Sequence, residues 1–211
     1  MTSLFTKGQI KTYSGKYLDI RKPELDTIEI EDIIIGLSNQ PRWMGQTNRP
    51  FSVLSHSVCV ALLTTGNVWE AFMHDASEAY LADIAKPIKE LLPDYLKLEE
   101  ILMNAISEKF GFNYPLSPAT KAADDFMLKL EFMLLKNEVK SGIYADIAYQ
   151  IAISREEINT DNVRLVINLI EGQSKIDVEI LKIVFDDKFN YSDSFNSSAI
   201  WRTYLLYSIV S

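Results

Sequence analysis

The chain has two histidines, and their placement restricts its fold more than any other feature. His56 stands in Ser55-His56-Ser57, and His74 is followed at once by Asp75 in Phe72-Met73-His74-Asp75-Ala76-Ser77-Glu78. Some fifty residues further on comes Lys121-Ala122-Ala123-Asp124. A lone His, a His-Asp pair and a distant Asp form a ligand set for one divalent metal ion held between helices. A fold that satisfies it must bring three separate stretches of chain to one point.

The surrounding pattern is helical. Ser52 to Thr65 reads as a helix broken by Gly66-Asn67, and Val68 to Tyr80 begins the next. Ala82 to Pro87 is a bend, followed by a short helix over Ile88 to Leu92. Tyr95 to Phe110 carries Leu98, Ile101, Leu102, Ala105 and Ile106 at helical spacing. Ser117-Pro118 is a start signal for a long helix to about Lys140. Ile28 to Ser38 is expected to be helical, although its β-branched content also allows a strand. Before it, residues 8 to 22 read as a short hairpin or arm with Ser14-Gly15 at its turn, ended by Pro23.

Between these segments, Asn39 to Pro50 is a polar loop with an exposed-looking Trp43. Beyond Gly142, Ser154 to Gly172 looks helical, with Ser154 and Glu157 as a capping box. Ile176 to Phe185 is ambiguous, Phe189 to Ser198 is a polar loop, and Ala199 to Val210 closes as a helix. The expected organisation is an arm over 1–26, a core over 27–142 and an extension over 143–211 packed on that core.

Composition narrows the function. The net charge of -8 repels polyanions and argues against a polymeric nucleic-acid partner, while leaving small phosphate esters open. No apolar run approaches the roughly 18 residues a membrane span needs, and the first residues lack a signal-peptide layout. A cytoplasmic protein with no membrane partner is expected. Cys59 is the single cysteine, so no intrachain disulfide can form, and its apolar setting predicts a buried, inert thiol.

Imidazoles with carboxylates suit divalent Mn, Co, Fe, Zn or Mg, and the mixed set disfavours a structural zinc site. Such an ion polarises a phosphoryl oxygen and acidifies water, as phosphate ester hydrolysis requires. Glu78, four residues after His74, would lie one helical turn along the same face and serve as general base or orienter. Asp83, in the bend, can reach the same water. Lys86 and Lys89 flank Pro87 and could pair with a phosphate. Arg42 offers a forked phosphate grip and Trp43 a stacking face. Residue pattern alone leaves Asp124 and Asp125 equivalent.

With these residues the chain resembles the HD-domain phosphohydrolase superfamily, whose pattern is H…HD…D. It is most similar to the bacterial 5'-deoxynucleotidases and the phage and prophage HD proteins near them. In that group an Arg-Trp pair precedes the first His by about fifteen residues, and Arg42-Trp43 precedes His56 by fourteen. The group's HDASE…GD.P.P.K block reads here HDASEAYLADIAKPIK, with Ala82 where Gly is common. Its K.AD……E block matches Lys121 to Asp124 with Glu131 seven residues on, which selects Asp124 over Asp125.

The resemblance implies an all-α HD bundle, often a homodimer or higher oligomer. It implies His56, His74, Asp75 and Asp124 as metal ligands, Glu78 and Asp83 as catalytic groups, and Arg42, Trp43 and Lys89 as substrate contacts. The expected reaction is hydrolysis of a deoxynucleoside 5'-monophosphate to nucleoside and phosphate. A triphosphohydrolase acting on a nucleotide such as dATP is the enzymatic alternative. An inactive nucleotide-binding or protein-interaction module is the alternative outside enzymes.

Overall fold

A computed structural model describes residues 6–136 and 141–176, together with 180, 181 and 184. The described chain enters as a hairpin in which β1 (Gln9–Lys11) pairs antiparallel with β2 (Tyr17–Asp19), Ile10 opposite Leu18. Alternation sends Leu18 fully into the core and leaves Tyr17 exposed. The hairpin is fastened from below. Asp32, buried in α1 (Ile30–Asn39), accepts from the Ser14 N–H at 2.6 Å and from its hydroxyl at 2.8 Å.

The rest is helical, so the fold is all-α with an N-terminal hairpin. Residues 30–39 form a helix, with Ile33, Ile34 and Leu37 buried on one face. Gly36 in α1 permits a close approach. A Cβ there would meet the Ala79 carbonyl oxygen at 2.7 Å, so any larger residue would push α1 off the segment carrying Glu78. At the centre is α2 (Val53–Leu63), nearly every side chain of which is buried. Ser52 caps it by accepting from the Ser55 N–H at 3.1 Å. Around it pack α1, α3 (Val68–Phe72), α7 (Pro118–Leu135) and α9 (Val163–Ile170). An apolar-all-round helix is what such a central position requires.

The predicted helix from Val68 to Tyr80 is interrupted. It stops after α3 and resumes as α4 (Glu78–Leu81), so His74 and Asp75 lie in a turn. The Ala71 carbonyl accepts from the His74 side chain, and three-residue bonds such as Ala76 N–H to Met73 and Glu78 N–H to Asp75 shape the turn. Further on, α5 (Lys86–Lys89) begins before Pro87, which its first turn tolerates, and α6 (Pro93–Phe110) begins at Pro93. Gly111, left-handed at φ 66°, ends α6. α7 ends at Leu135, and the last part of its expected length lies outside the described residues.

The capping box at Ser154 does not form. Residues 141–152 make α8 (Ser141–Ala152), and the Ser154 hydroxyl donates back to the Ile151 carbonyl at 2.7 Å. The next stretch is pulled onto α2 instead, through the Asn159 N–H to the Leu63 carbonyl at 2.8 Å. Val163, Val166, Ile167 and Ile170 of α9 join the same apolar cluster as Val58, Leu62 and Phe126. The expectations for Phe189 to Ser198 and Ala199 to Val210 fall outside the described residues. Among the described residues no helix is long and apolar enough to cross a membrane.

Candidate metal centre

His56 enters from the buried middle of α2, and His74 from the turn after α3. Both are buried, and both have the outer ring nitrogen committed. His56 Nδ1 donates to Glu131 Oε1 at 2.6 Å, and His74 Nδ1 donates to the Ala71 carbonyl at 2.8 Å. A carbonyl and a carboxylate can only accept, so each Nδ1 carries a proton and both Nε2 atoms turn inward, where a proton or a cation can sit. The two Nε2 atoms face each other at 3.2 Å.

Asp75 Oδ2 lies 3.1 Å from His74 Nε2 and 3.6 Å from His56 Nε2. Asp124, on α7, places Oδ1 at 3.2 Å from His56 Nε2 and 3.7 Å from His74 Nε2. Asp125 points away, exposed and paired with Lys129 at 2.5 Å and Arg155 at 3.9 Å. Donors held about 2.1 Å from one ion lie about 3.0 Å apart at right angles and about 3.4 Å apart at tetrahedral angles. His56, His74 and Asp75 place one donor each within 4.8 Å of one another, close enough to share an ion, and Asp124 approaches both imidazoles from α7. Such a nitrogen–oxygen set suits a borderline or hard divalent ion.

With protons alone the cluster is tightly bound to itself. Desolvation opposes charge on His74, but Asp75 and Asp124 outweigh it and raise its pKa well above the usual value. Desolvation likewise opposes ionisation of Asp75 and Asp124, yet the two imidazoles hold both carboxyls far below the ordinary range. The site strongly favours positive charge between these groups, whether proton or cation.

The loop before α2 closes one side. Arg42 and Trp43 stand in a tight turn (Arg42–Gly45) in which Trp43 and Met44 are left-handed at φ 56° and 54°. Arg42 is buried, not solvent-facing. Its guanidinium lies 3.3 Å from Asp83, 3.3 Å from Glu131 and 3.8 Å from Asp75. Desolvation works against its charge, and Glu131, Asp75 and Asp83 overcome that. Trp43 is half-buried rather than exposed, with its indole N–H donating to Glu131 Oε2 at 2.8 Å. A shallow apolar groove of about 420 Å³ opens beside its ring, lined also by Leu128, Phe132, Met133 and Ile151. None of the four cation donors lines it.

Glu78, at the start of α4, and Asp83, in the bend after it, adjoin the same cluster, Asp83 as a partner of Arg42. Gln40 holds both backbones, accepting from the Asp83 N–H at 2.8 Å and donating to the Glu78 carbonyl at 2.6 Å. Glu78 is buried, its Oε1 accepts from Lys89 Nζ at 3.1 Å, and its Oε2 has no hydrogen-bond partner among the described residues. Burial, then the charges of Asp75 and Asp83, push its pKa up to about 9. Lys89 also donates to Glu99 at 2.6 Å and lies 5.5 Å above the Tyr95 ring. Two carboxyls thus already hold the ammonium expected at a phosphate.

Three contributors were not identified as site residues from the sequence. Glu131 was visible as a helical repeat, seven residues or two turns after Asp124 on the same face. Gln40 and Glu99 left no local signal, since their roles arise from contacts across the fold. Cys59 is fully buried beside His56, and burial pushes its thiol up, as an inert core residue requires.

No family model matches the chain. It is 44% identical over 123 residues to "Uncharacterized protein YfdR" of Escherichia coli (strain K12), covering 58% of this chain and 69% of the relative. It is 37% identical over 133 residues to "Uncharacterized protein RCAP_rcc00048" of Rhodobacter capsulatus, covering 56% of this chain and 68% of the relative. With that identity sustained over more than two thirds of both relatives, this chain belongs to the family of YfdR and RCAP_rcc00048.

Proposed function

We propose that the chain is a metal-dependent nucleotide phosphohydrolase of the HD-domain type, acting on deoxynucleoside 5'-monophosphates. The observation that carries this reading is the convergence of His56, His74, Asp75 and Asp124 with both Nε2 atoms directed inward. A divalent ion held there supplies a Lewis acid for a phosphoryl oxygen and lowers the pKa of water.

The chain's own groups then divide the remaining work. Arg42 presents a guanidinium, already desolvated and oriented by Asp83 and Glu131, to phosphate oxygens that gain charge in the transition state. Asp83, paired with Arg42 and aligned by Gln40, orients the attacking water and accepts its proton. Burial pushes the Glu78 carboxyl up to about 9 in the cation-free chain and its Oε2 has no hydrogen-bond partner among the described residues, so it is suited to give a proton to the departing 5'-oxygen. The groove beside Trp43 takes the apolar face of the base. Water adds to phosphorus, the ester P–O bond breaks, and nucleoside and orthophosphate leave.

The test is a nucleotide panel with added Mn2+ or Co2+, scored by product. Orthophosphate from a deoxynucleoside monophosphate is expected, and Asp75→Ala should abolish it, a loss of at least about a thousandfold. Full activity in that variant would sink the scheme. Inorganic triphosphate released from a deoxynucleoside triphosphate would replace the monophosphatase by a triphosphohydrolase on the same site.

A further inference from the structure

We propose that Glu131 is a positioning residue that joins the cation site to the Arg42–Trp43 turn, so that cation loading and ordering of that turn are coupled. This rests on the metal-dependent reading above and assigns a regulated geometry to the same site.

The carboxylate is completely buried, and its two oxygens face two different structures. Oε1 accepts from His56 Nδ1 at 2.6 Å. Oε2 accepts from the Trp43 indole N–H at 2.8 Å and from Arg42 Nε at 3.3 Å. One side chain therefore fixes the tautomer that exposes the His56 Nε2 lone pair and also anchors both residues of the turn. The turn depends on such an anchor. Trp43 and Met44 are left-handed without being glycine, a conformation that persists only when surrounding contacts impose it.

Helix geometry makes the coupling direct. Glu131 lies two turns from Asp124 on α7, so the helix that supplies a ligand also supplies this bridge. A movement of His56 on taking up a cation is transmitted through a single rigid carboxylate to the indole of Trp43.

Glutamine at this position cannot serve both arms. All three partners are N–H donors, and an amide has one oxygen and one NH2 group, so one arm must face a donor. If the NH2 group faces His56, the imidazole can accept only in the tautomer whose Nε2 carries the proton, which removes the inward lone pair. Aspartate keeps the charge but is one methylene short of reaching both sides.

The experiment is a calorimetric Mn2+ titration of the full chain with tryptophan emission followed in parallel. Trp43→Phe run alongside isolates the Trp43 signal. In the wild type, Mn2+ binding should change Trp43 emission. Glu131→Gln should bind Mn2+ about 10–100-fold more weakly or lose the emission response. Glu131→Asp should recover part of each. With nucleotide added, Glu131→Gln should raise KM as well as lower kcat. Wild-type affinity in a folded Glu131→Gln chain with an unchanged Trp43 response would overturn the bridge while leaving the hydrolase reading standing. Should that variant not fold, the wild type alone decides, since Trp43 emission that stays constant through saturation also overturns it. Failure of the wild type to take up Mn2+ at all would overturn the hydrolase reading and the bridge together.

Discussion

Glu78 is the residue at which stability and chemistry conflict most directly. Its native pKa of about 9 lies above the ordinary carboxyl value of 4.5, so the folded chain keeps a proton that the unfolded chain gives up. That contribution is fully present below about pH 4.5 and is lost as pH rises toward 9. Glu78→Gln removes the titration. In the cation-free protein it should become more stable than the wild type as pH rises, by on the order of 3 kcal/mol between pH 4.5 and 7. Urea unfolding of both chains across this range reads the difference, and parallel curves would show that Glu78 ionises normally. The same substitution should abolish turnover, because an amide cannot donate that proton.

Ala82, four residues on, carries backbone strain at φ 74° and ψ 151°, a region that glycine alone occupies easily. The conformation is imposed from outside, since the Ala82 carbonyl accepts from the Tyr95 hydroxyl and its neighbour Asp83 is held by Gln40. Ala82→Gly should stabilise the protein by about 1 kcal/mol after the entropy cost of glycine, and raise Tm by about 2–4 °C. A lower Tm would mean that the methyl group contributes packing worth more than the strain.

At the scale of elements, α7 is the helix on which the site hangs, because it carries both Asp124 and Glu131. Its N-terminus is capped twice. Ser117 accepts from the Thr120 N–H, and the buried Glu70 of α3 accepts from the Ser117 N–H at 2.8 Å and the Thr120 hydroxyl at 2.6 Å. Glu70→Ala leaves buried donors without partners and should cost about 2–3 kcal/mol in denaturant unfolding. Cation affinity should fall with it, as α7 shifts against α2. Preserved affinity in a destabilised variant would show that α7 is positioned by its apolar face alone. The break between α3 and α4 matters equally. A continuous helix would have pointed His74 and Glu78 along one face, whereas the turn directs His74 Nε2 at His56 and leaves Glu78 to be aligned by Gln40.

At the scale of the molecule, a cation held at the proposed site would draw on α2, the α3–α4 turn and α7 and so tie the bundle together. Binding to the folded chain alone should stabilise it by about 2.7 kcal/mol when the free ion stands at a hundred times its Kd. For a chain of this length that is a rise in Tm of about 5–10 °C, reversed by a chelator. Thermal unfolding with Mn2+ and then with excess chelator measures it, and a Tm indifferent to both would remove the case for a cation.

Much of this was legible beforehand. Ser14-Gly15 within residues 8 to 22 pointed to a hairpin or arm, helical spacing to α6 and the Ser117-Pro118 start signal to α7. The sequence also singled out His56, His74, Asp75 and Asp124, which the fold brings near one another, because metal chemistry restricts which side chains can be proposed as donors. What local pattern could not contain was every relation across the fold. The turn at His74 arises because a carbonyl of α3 is taken by that ring, the failed cap at Ser154 because the following stretch is drawn onto α2, and the burial of Arg42 because three distant carboxylates surround it. Glu131 meets His56 and Trp43 across 75 and 88 residues. Propensity and periodicity are properties of a few neighbouring residues, while the partner of a buried polar group is chosen by whichever elements the core packs beside it.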